Sequence, residues 1–505
     1  MTTSRVVERA EGPDATRLPR QRGLYYGGTW QASAGGREIA ITNPSTGEPL
    51  GTSLDATAED VDRAVAAARA AFLQWRDTPS QERARAIRVA AAILRARAEE
   101  LGYLDALDAG NPLQAMLYDV EISAQYMEYF AGLVTEIKGS TIPIGAGTLN
   151  YTLREPLGVV ARIGAFNHPL LFVAGKCAAP LASGNTLIVK PAEQTPLTAL
   201  RIAELWEGVF PPGVFNVVTG GREAGAALVA HPQVAKVGFI GSVNAGRAVM
   251  TAAGATLKAL TLELGGKNAL IACADAAPAE VADGVVRGMN FRYVTGQSCN
   301  STSRVYLHAD IHDATLSRIV ERVKRIKVGL PTERDTEMGC LSSQAQFDND
   351  KTMAYIRLGV EGGARLVYGG KRPDDPRLAR GFFVEPTVFA DVTDDMRIAR
   401  EEIFGPVVSI LRWSDEADLL ARVNLLDYGL TASIWTHDLD RAHRLASRVE
   451  AGYVWINGAS THWVGVPFGG YKQSGIGREE SIDELLACTQ IKNVNVTLGS
   501  SAPRA

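Results

Sequence analysis

The sequence predicts an α/β protein with a doubly wound parallel sheet. From Gly158 onward, short apolar runs alternate with helical stretches, at Gly158 to Ile163, Leu187 to Lys190, Val214 to Val218 and Val234 to Ile240. Alternation on this scale is the pattern of strands joined by helical crossovers, and runs that are apolar throughout, such as Leu187-Ile188-Val189, suit strands buried on both faces. At 505 residues the chain is too long for one hydrophobic core, so two or three domains are expected.

In chain order, residues 1–23 are polar, mix Arg with Glu8, Glu11 and Asp14, and lack the apolar stretch of a secretory signal, so they predict a mobile tail. Asn43-Pro44-Ser45-Thr46-Gly47-Glu48-Pro49 predicts a turn between extended segments. Thr57-Ala58-Glu59-Asp60 resembles a capping box, and Val61, Val65, Ala68, Phe72 and Trp75 follow it at helical spacing. A second packing helix is expected from about Gln81 to Leu101, with Ile87, Ala91 and Leu94 on one face. Past Glu263, helix and strand alternate again, up to a glycine-rich segment from Pro467 to Glu479 that reads as a structured loop. Val494, Val496 and Leu498 fall at strand spacing. An apolar alternating strand at a chain end is a liability if unpaired, so it is expected to join a sheet of this chain or of another subunit.

Composition excludes several classes. Hydrophobic residues at 46% and charged residues at 21% are ordinary globular values, and a formal charge of -4 leaves no electrostatic footprint for nucleic acid. No window approaches the roughly 18 apolar residues of a membrane span, and a cytoplasmic protein is expected. Five cysteines (Cys177, Cys273, Cys299, Cys340 and Cys488) form no close pairs, and the seven histidines make no metal-ligand spacing with them, which predicts reduced thiols and no structural metal.

Ligands of doubly wound sheets bind beyond the carboxyl ends of the strands. Here those ends run into Phe166-Asn167-His168-Pro169, Lys190-Pro191-Ala192-Glu193, Thr219-Gly220-Gly221 and Gly241-Ser242. Gly220 and Gly225 make a Gly-x-x-x-x-Gly, the spacing of a cofactor loop but more often of an ordinary strand-to-helix turn. Gly241-Ser242, ahead of a helical run from Ala245 to Ala255, offers N–H groups and a hydroxyl to a pyrophosphate, or an N-cap to the helix. Lys190 and Glu193 read either as a solvated pair or as a bracket for a ribose. In the second case Glu193 would accept from the 2′- and 3′-hydroxyls and repel a 2′-phosphate, favouring NAD over NADP. Asn167 is either a turn residue or a donor of the kind an oxyanion hole requires.

Cys299, in Val294-Thr295-Gly296-Gln297-Ser298-Cys299-Asn300-Ser301, and Glu263, in Leu262-Glu263-Leu264-Gly265-Gly266-Lys267, carry the chemistry. An aldehyde holds its hydride until a nucleophile makes the carbonyl carbon tetrahedral, and a thiolate suits that attack near neutral pH. The thioester left behind must be cleared by water, activated by a base such as a carboxylate whose pKa burial has raised. Taken singly, an inert buried thiol and a structural ion pair are the better accounts of these two residues.

With these runs in hand, the chain resembles the NAD(P)-dependent aldehyde dehydrogenase superfamily from Asn43-Pro44 to about Val496. Further matching runs are Glu155-Pro156-Leu157-Gly158-Val159, Gly184-Asn185-Thr186, Phe239-Ile240-Gly241-Ser242, Glu401-Glu402-Ile403-Phe404-Gly405-Pro406 and Pro467-Phe468-Gly469-Gly470. The resemblance implies Cys299 as nucleophile, Glu263 as base, Asn167 as oxyanion donor and Lys176 as a supporting residue. It implies a cofactor site of Lys190, Glu193, Gly225, Phe239, Gly241, Ser242, Glu402 and Phe404, with Glu402 on the nicotinamide ribose. The implied architecture is a Rossmann-like NAD-binding domain (24–138 and 158–265), an α/β catalytic domain (266–470) and oligomerisation strands (139–157 and 484–498), in a homodimer or homotetramer.

The substrate end departs from the family. His168 stands where many relatives have Phe or Tyr, and Gly175 where many have Trp, while His462-Trp463 and Phe468 fall in segments that line the aldehyde tunnel. A glycine in place of a large aromatic is expected to widen that tunnel and two imidazoles to make it more polar, which points to a bulky or polar aldehyde, with anionic and aromatic ones included, unless neighbouring aromatics refill the space. Two other readings stay open: a CoA-acylating semialdehyde dehydrogenase, against which Glu263 argues, and a non-catalytic paralogue, against which the joint presence of Cys299, Glu263 and Asn167 argues.

Overall fold

A computed structural model describes residues 17–348 and 351–498. Among these, eight strands form one sheet in the order Thr29–Gln31, Leu24–Tyr26, Phe215–Val217, Thr186–Lys190, Val159–Ile163, Val234–Gly241, Ala259–Leu264 and Gly475–Ile476. Its five central strands are mutually parallel, and the chain proceeds outward from Val159–Ile163 in one direction before crossing to Val234–Gly241 and continuing in the other. That reversal opens a crevice at the strands' carboxyl ends. The central strands are almost wholly buried, as their largely apolar sequences favour.

A second sheet of seven described strands runs Arg365–Tyr368, Thr387–Ala390, Val407–Trp413, Arg304–His308, Ala269–Ala272, Thr431–Trp435 and Tyr453–Ile456, parallel except at its first pair. The chain is therefore mixed α/β with parallel sheets. The edge strand Gly475–Ile476 returns from the glycine-rich segment to pair with Ala259–Leu264, which ties that loop directly beside Glu263.

Thr57 caps the helix Ala58–Asp77: its Oγ1 accepts from Asp60 N at 3.3 Å while Asp60 Oδ2 accepts from Thr57 N at 2.9 Å. Such a cap is worth about 1 kcal/mol. Val61, Val65, Ala68, Phe72 and Trp75 are all buried on its inner face. The helix expected from about Gln81 to Leu101 is instead two, Ser80–Ala96 and Ala98–Ala109, broken at Arg97, whose ψ of 19° leaves the helical range. The apolar pattern continues across the break, so periodicity alone does not reveal it.

Residues 1–16 of the expected tail lie outside the described residues. Of the rest, Leu18 is buried in a cluster with Ile41, Leu50 and Leu197, so the chain is packed before residue 23. At the other end, 484–487 belong to the helix Ile482–Ala487, and the strand begins at Thr489. Thr489–Thr497 pairs antiparallel with Thr148–Pro156 of the same chain, and Thr141–Ile142 adds a third strand.

Candidate active site

A cavity of about 120 Å³ occupies the crevice, lined by Phe166, Asn167, Ile240, Gly241, Ser242, Glu263, Gly265, Cys299, Gln346, Lys351, Glu402 and Phe404 among others. Side chains from distant stretches of sequence thus meet on one small volume, and they include the candidate nucleophile, base and oxyanion donor.

The short helix Phe291–Val294 leads into the Cys299 loop through Thr295, at φ 55°, and Gly296, at φ 72°. A Cβ on Gly296 would meet the Gly405 carbonyl, so glycine alone lets the loop pass the Phe404 segment. Asn268 Nδ2 donates to the carbonyls of Cys299 at 2.7 Å and Ser301 at 3.0 Å. Asn300, the nucleophile's neighbour, has its amide fully committed: Oδ1 accepts from Ser298 Oγ at 2.7 Å and from Asn290 Nδ2 at 2.8 Å, and Nδ2 lies 2.8 Å from His462 Nε2. The thiol is therefore presented by a loop braced on both sides.

Glu263, near the end of its strand, faces the same cavity as that thiol, and its buried Oε1 has no hydrogen-bond partner among the described residues. Burial pushes the carboxyl up to about 8. Burial, followed by the Glu263 charge, holds the Cys299 thiol well above its ordinary value. The carboxyl is thus the stronger acid of the two. Asn167 is 3% exposed; its backbone carbonyl is held by Asn111 Nδ2 at 2.9 Å and its side chain lines the cavity.

Glu402 accepts from Gly266 N at 3.0 Å, and a Cβ at Gly265 would overlap its carboxylate. Burial raises Glu402 to about 7. Phe404 adopts a left-handed φ of 56°, a costly conformation for a bulky residue, and its ring meets Phe166 edge-on at 5.6 Å. Ser242 caps the helix Val243–Gly254 by accepting from Ala245 N at 3.2 Å, which leaves other N–H groups of the first turn for an anion. Gly241 abuts the Phe239 ring. Further along, Lys190 is 6% exposed, donates to Pro191 O at 3.0 Å and is lowered to about 8 by burial. Gly225 faces its aliphatic stem, and Glu193 lies exposed beside Gly221. The carboxylates of Glu193 and Glu402 and the first-turn N–H groups after Ser242 are the acceptors and donors that two riboses and a pyrophosphate would take.

Lys176 does not line the cavity. It is buried behind it, paired with Glu479 at 2.9 Å and Glu480 at 3.1 Å, and Arg162 joins the same cluster through Glu479 at 2.9 Å and Glu484 at 3.3 Å. The cluster's cations draw Glu480 well below the usual carboxylate range against the cost of its burial. Glu479, Glu480, Asn268 and Gly265 escaped sequence reasoning because each acts through a partner remote in sequence.

At the substrate end the structure corrects two expectations. The space beside Gly175 is taken: a Cβ there would lie 2.9 Å from Leu171 Cδ1 and 3.5 Å from Ser123 Cα, so the glycine compensates for its neighbours and opens no wider channel. His462 adds little free polarity, because Nδ1 lies 3.0 Å from Glu480 and Nε2 faces Asn300. What it presents is its ring, stacked on Tyr453 at 5.7 Å and 4.5 Å from Phe468. Phe468 is buried with Tyr453 and Trp455, and Cys299 packs against that cluster. Trp463, at 64% exposed, sits on the surface. His168 is 8% exposed and its Nδ1 lies 2.7 Å from Asp119.

Comparison with known proteins agrees with this arrangement. The model of the aldehyde dehydrogenase family matches residues 30–494. The aldehyde dehydrogenase tropH of Talaromyces stipitatus is 51% identical over 491 residues, covering 96% of this chain and 95% of the relative. A Bacillus cereus aldehyde dehydrogenase solved as its NAD+ complex superposes with a TM-score of 0.92 at 40% identity, covering 97% of this chain and 100% of the other. An NADP-dependent enzyme from E. coli superposes equally well, TM-score 0.92, at 31% identity over 96% of this chain and 100% of that one.

Proposed function

The chain belongs to the aldehyde dehydrogenase family, and on that premise we propose that it oxidises an aldehyde to the carboxylic acid with NAD, through a thioester on Cys299 that water hydrolyses. A buried Glu263 with a pKa near 8, facing the cavity it shares with Cys299, is the observation that carries this reading. Glu263 takes the thiol proton, and the sulfur attacks the carbonyl carbon. The developing oxyanion lies within reach of the Asn167 amide and the Cys299 backbone N–H. NAD, when bound, supplies the acceptor for the hydride. Once the hydride has left, Glu263 releases the thiol's proton to solvent, takes a proton from the attacking water and returns it to the departing sulfur, which frees the acid and regenerates the thiol.

The presence of Glu263 supports water over CoA as the acyl acceptor. The Glu193 carboxylate, placed where a 2′-phosphate would meet it, supports NAD over NADP. In this reading the first sheet holds the cofactor and the second sheet's domain supplies Cys299. Exposed apolar residues on the three-stranded sheet, Ile142, Leu149, Leu153 and Ile491, support a homodimer or homotetramer. Among the described residues no helix is long and apolar enough to cross a membrane, and we place the activity in the cytoplasm.

An aldehyde panel read by NADH and NADPH formation, with and without CoA, tests the whole reading. Free acid and NADH without CoA are expected; a strict requirement for CoA, or reduction of NADP alone, would overturn the corresponding part.

A further inference from the structure

Asp119 is fully buried on the helix Leu113–Gly132 and receives two hydrogen bonds from the substrate end of the site. Its Oδ2 lies 2.7 Å from His168 Nδ1, and its Oδ1 accepts from the Tyr293 hydroxyl. The His168 and Tyr293 rings are in edge contact, their centroids 4.9 Å apart. One turn on, Ser123 donates to the Asp119 carbonyl at 2.6 Å and packs beside Gly175.

The two rings come from opposite parts of the chain, each from a segment that also leads to a residue of the cavity. His168 follows Asn167, whose side chain lines the cavity with Cys299, and Tyr293 lies on the short helix that leads into the Cys299 loop. Beyond them Tyr118, 52% exposed, meets Tyr293 edge-on at 6.0 Å, so this face reaches the surface.

Counting hydrogens decides what the face can bind. An ionised carboxylate only accepts, so Nδ1 of His168 and the hydroxyl of Tyr293 each commit a hydrogen to Asp119. The ring nitrogen left over, Nε2, makes no hydrogen bond among the described residues and is a lone-pair acceptor whenever the ring carries one hydrogen; the phenol keeps its oxygen lone pairs. Both are acceptors. A substrate carboxylate brings no hydrogen to them and approaches the Asp119 charge, while an apolar group leaves them unpaired.

We propose that His168 and Tyr293, oriented by Asp119, select aldehydes that carry a hydroxyl group. The inference rests on the aldehyde dehydrogenase reading and narrows the substrate expected from sequence, setting anionic aldehydes aside. Asp119 is a positioning residue here, since it acts through the other two.

The test is kcat/KM for benzaldehyde, its 2-, 3- and 4-hydroxy derivatives and 4-carboxybenzaldehyde, in the parent, His168→Phe and Tyr293→Phe. The isomers vary the reach from the carbonyl to the hydroxyl. The best hydroxy isomer is expected to exceed benzaldehyde by about tenfold or more, because unpaired buried acceptors reject the analogue that lacks the donor. The carboxylated aldehyde should fall below benzaldehyde. Either substitution should bring the hydroxy-to-unsubstituted ratio toward one, chiefly through KM, and Tyr293→Phe keeps the ring should His168→Phe fail to fold. A flat ratio in the parent with benzaldehyde turned over, a preference for the carboxylate, or a ratio unchanged in the folded variants would overturn this inference alone. No NADH from any aldehyde would overturn the dehydrogenase reading and this one with it.

Discussion

The Cys299 thiol and the Glu263 carboxyl share one cavity, and burial pushes both toward their protonated forms. In the proposed mechanism the acid receives the sulfur's proton, passes it to solvent and later takes one from water, so the two residues should fail differently when replaced.

Cys299→Ala should abolish NADH formation from every aldehyde. Glu263→Gln keeps the thiol but loses the acceptor of both protons, so it should slow single-turnover hydride transfer as well as hydrolysis and lower steady turnover by about 10²-fold or more. Rapid-quench or stopped-flow traces distinguish the two; Glu263→Gln turning over at the parent rate would remove Glu263 from the mechanism.

The raised Glu263 value fixes a pH dependence of activity and another, opposite in sign, of stability. Turnover should rise as the carboxyl ionises through about pH 8, and this limb should vanish in Glu263→Gln. For stability, the folded value near 8 lies above the ordinary 4.5, so the folded chain binds the proton more tightly in that window. The stabilising contribution is complete below the unfolded value and is lost as pH rises through the folded one. Glu263→Gln, which cannot ionise, should match the parent near pH 4.5 and unfold at a higher temperature near pH 9. Equal midpoints at the higher pH would contradict the burial account.

Gly265→Ala should disable the cofactor end without touching a reacting group. Its methyl would displace the Glu402 carboxylate, which accepts from Gly266 N at 3.0 Å. Loss of a charged hydrogen-bond acceptor is worth roughly 1.5–3 kcal/mol, so the KM for NAD should rise by about tenfold or more. Parent-like KM and kcat would show that Glu402 does not hold the cofactor.

Glu193→Gln should relax cofactor choice. Removing the carboxylate removes its repulsion of a 2′-phosphate, and the ratio of kcat/KM for NADP to that for NAD should rise by about tenfold. An unchanged ratio would assign discrimination elsewhere.

Lys176→Met should be costly to the fold. Glu479 and Glu480 would lose a cation 2.9 and 3.1 Å away in a buried cluster, and stranding a buried charge costs roughly 3–5 kcal/mol. Denaturant unfolding measures it; a loss below about 1 kcal/mol would mean that Arg162 and His462 compensate.

Sequence by itself determined the alternation of buried strands and helices, the Thr57 cap and the chemistry-bearing residues at strand ends, because these are local: periodicity, capping and the turn after a strand are written in neighbouring residues. It could not decide where the helix breaks at Arg97, since the apolar stripe runs on past the break. Nor could it decide the substrate end. The volume beside Gly175 is set by Leu171 and Ser123, and the polarity of His168 and His462 by whether Asp119, Glu480 and Asn300 have already claimed their nitrogens. Space and free hydrogen-bonding capacity belong to pairs of residues distant in the chain, so only the tertiary structure assigns them. For Cys299 and Glu263 the residue types and their surroundings in sequence named the chemistry, while the tertiary structure decided that the two share one cavity and which way burial shifts each.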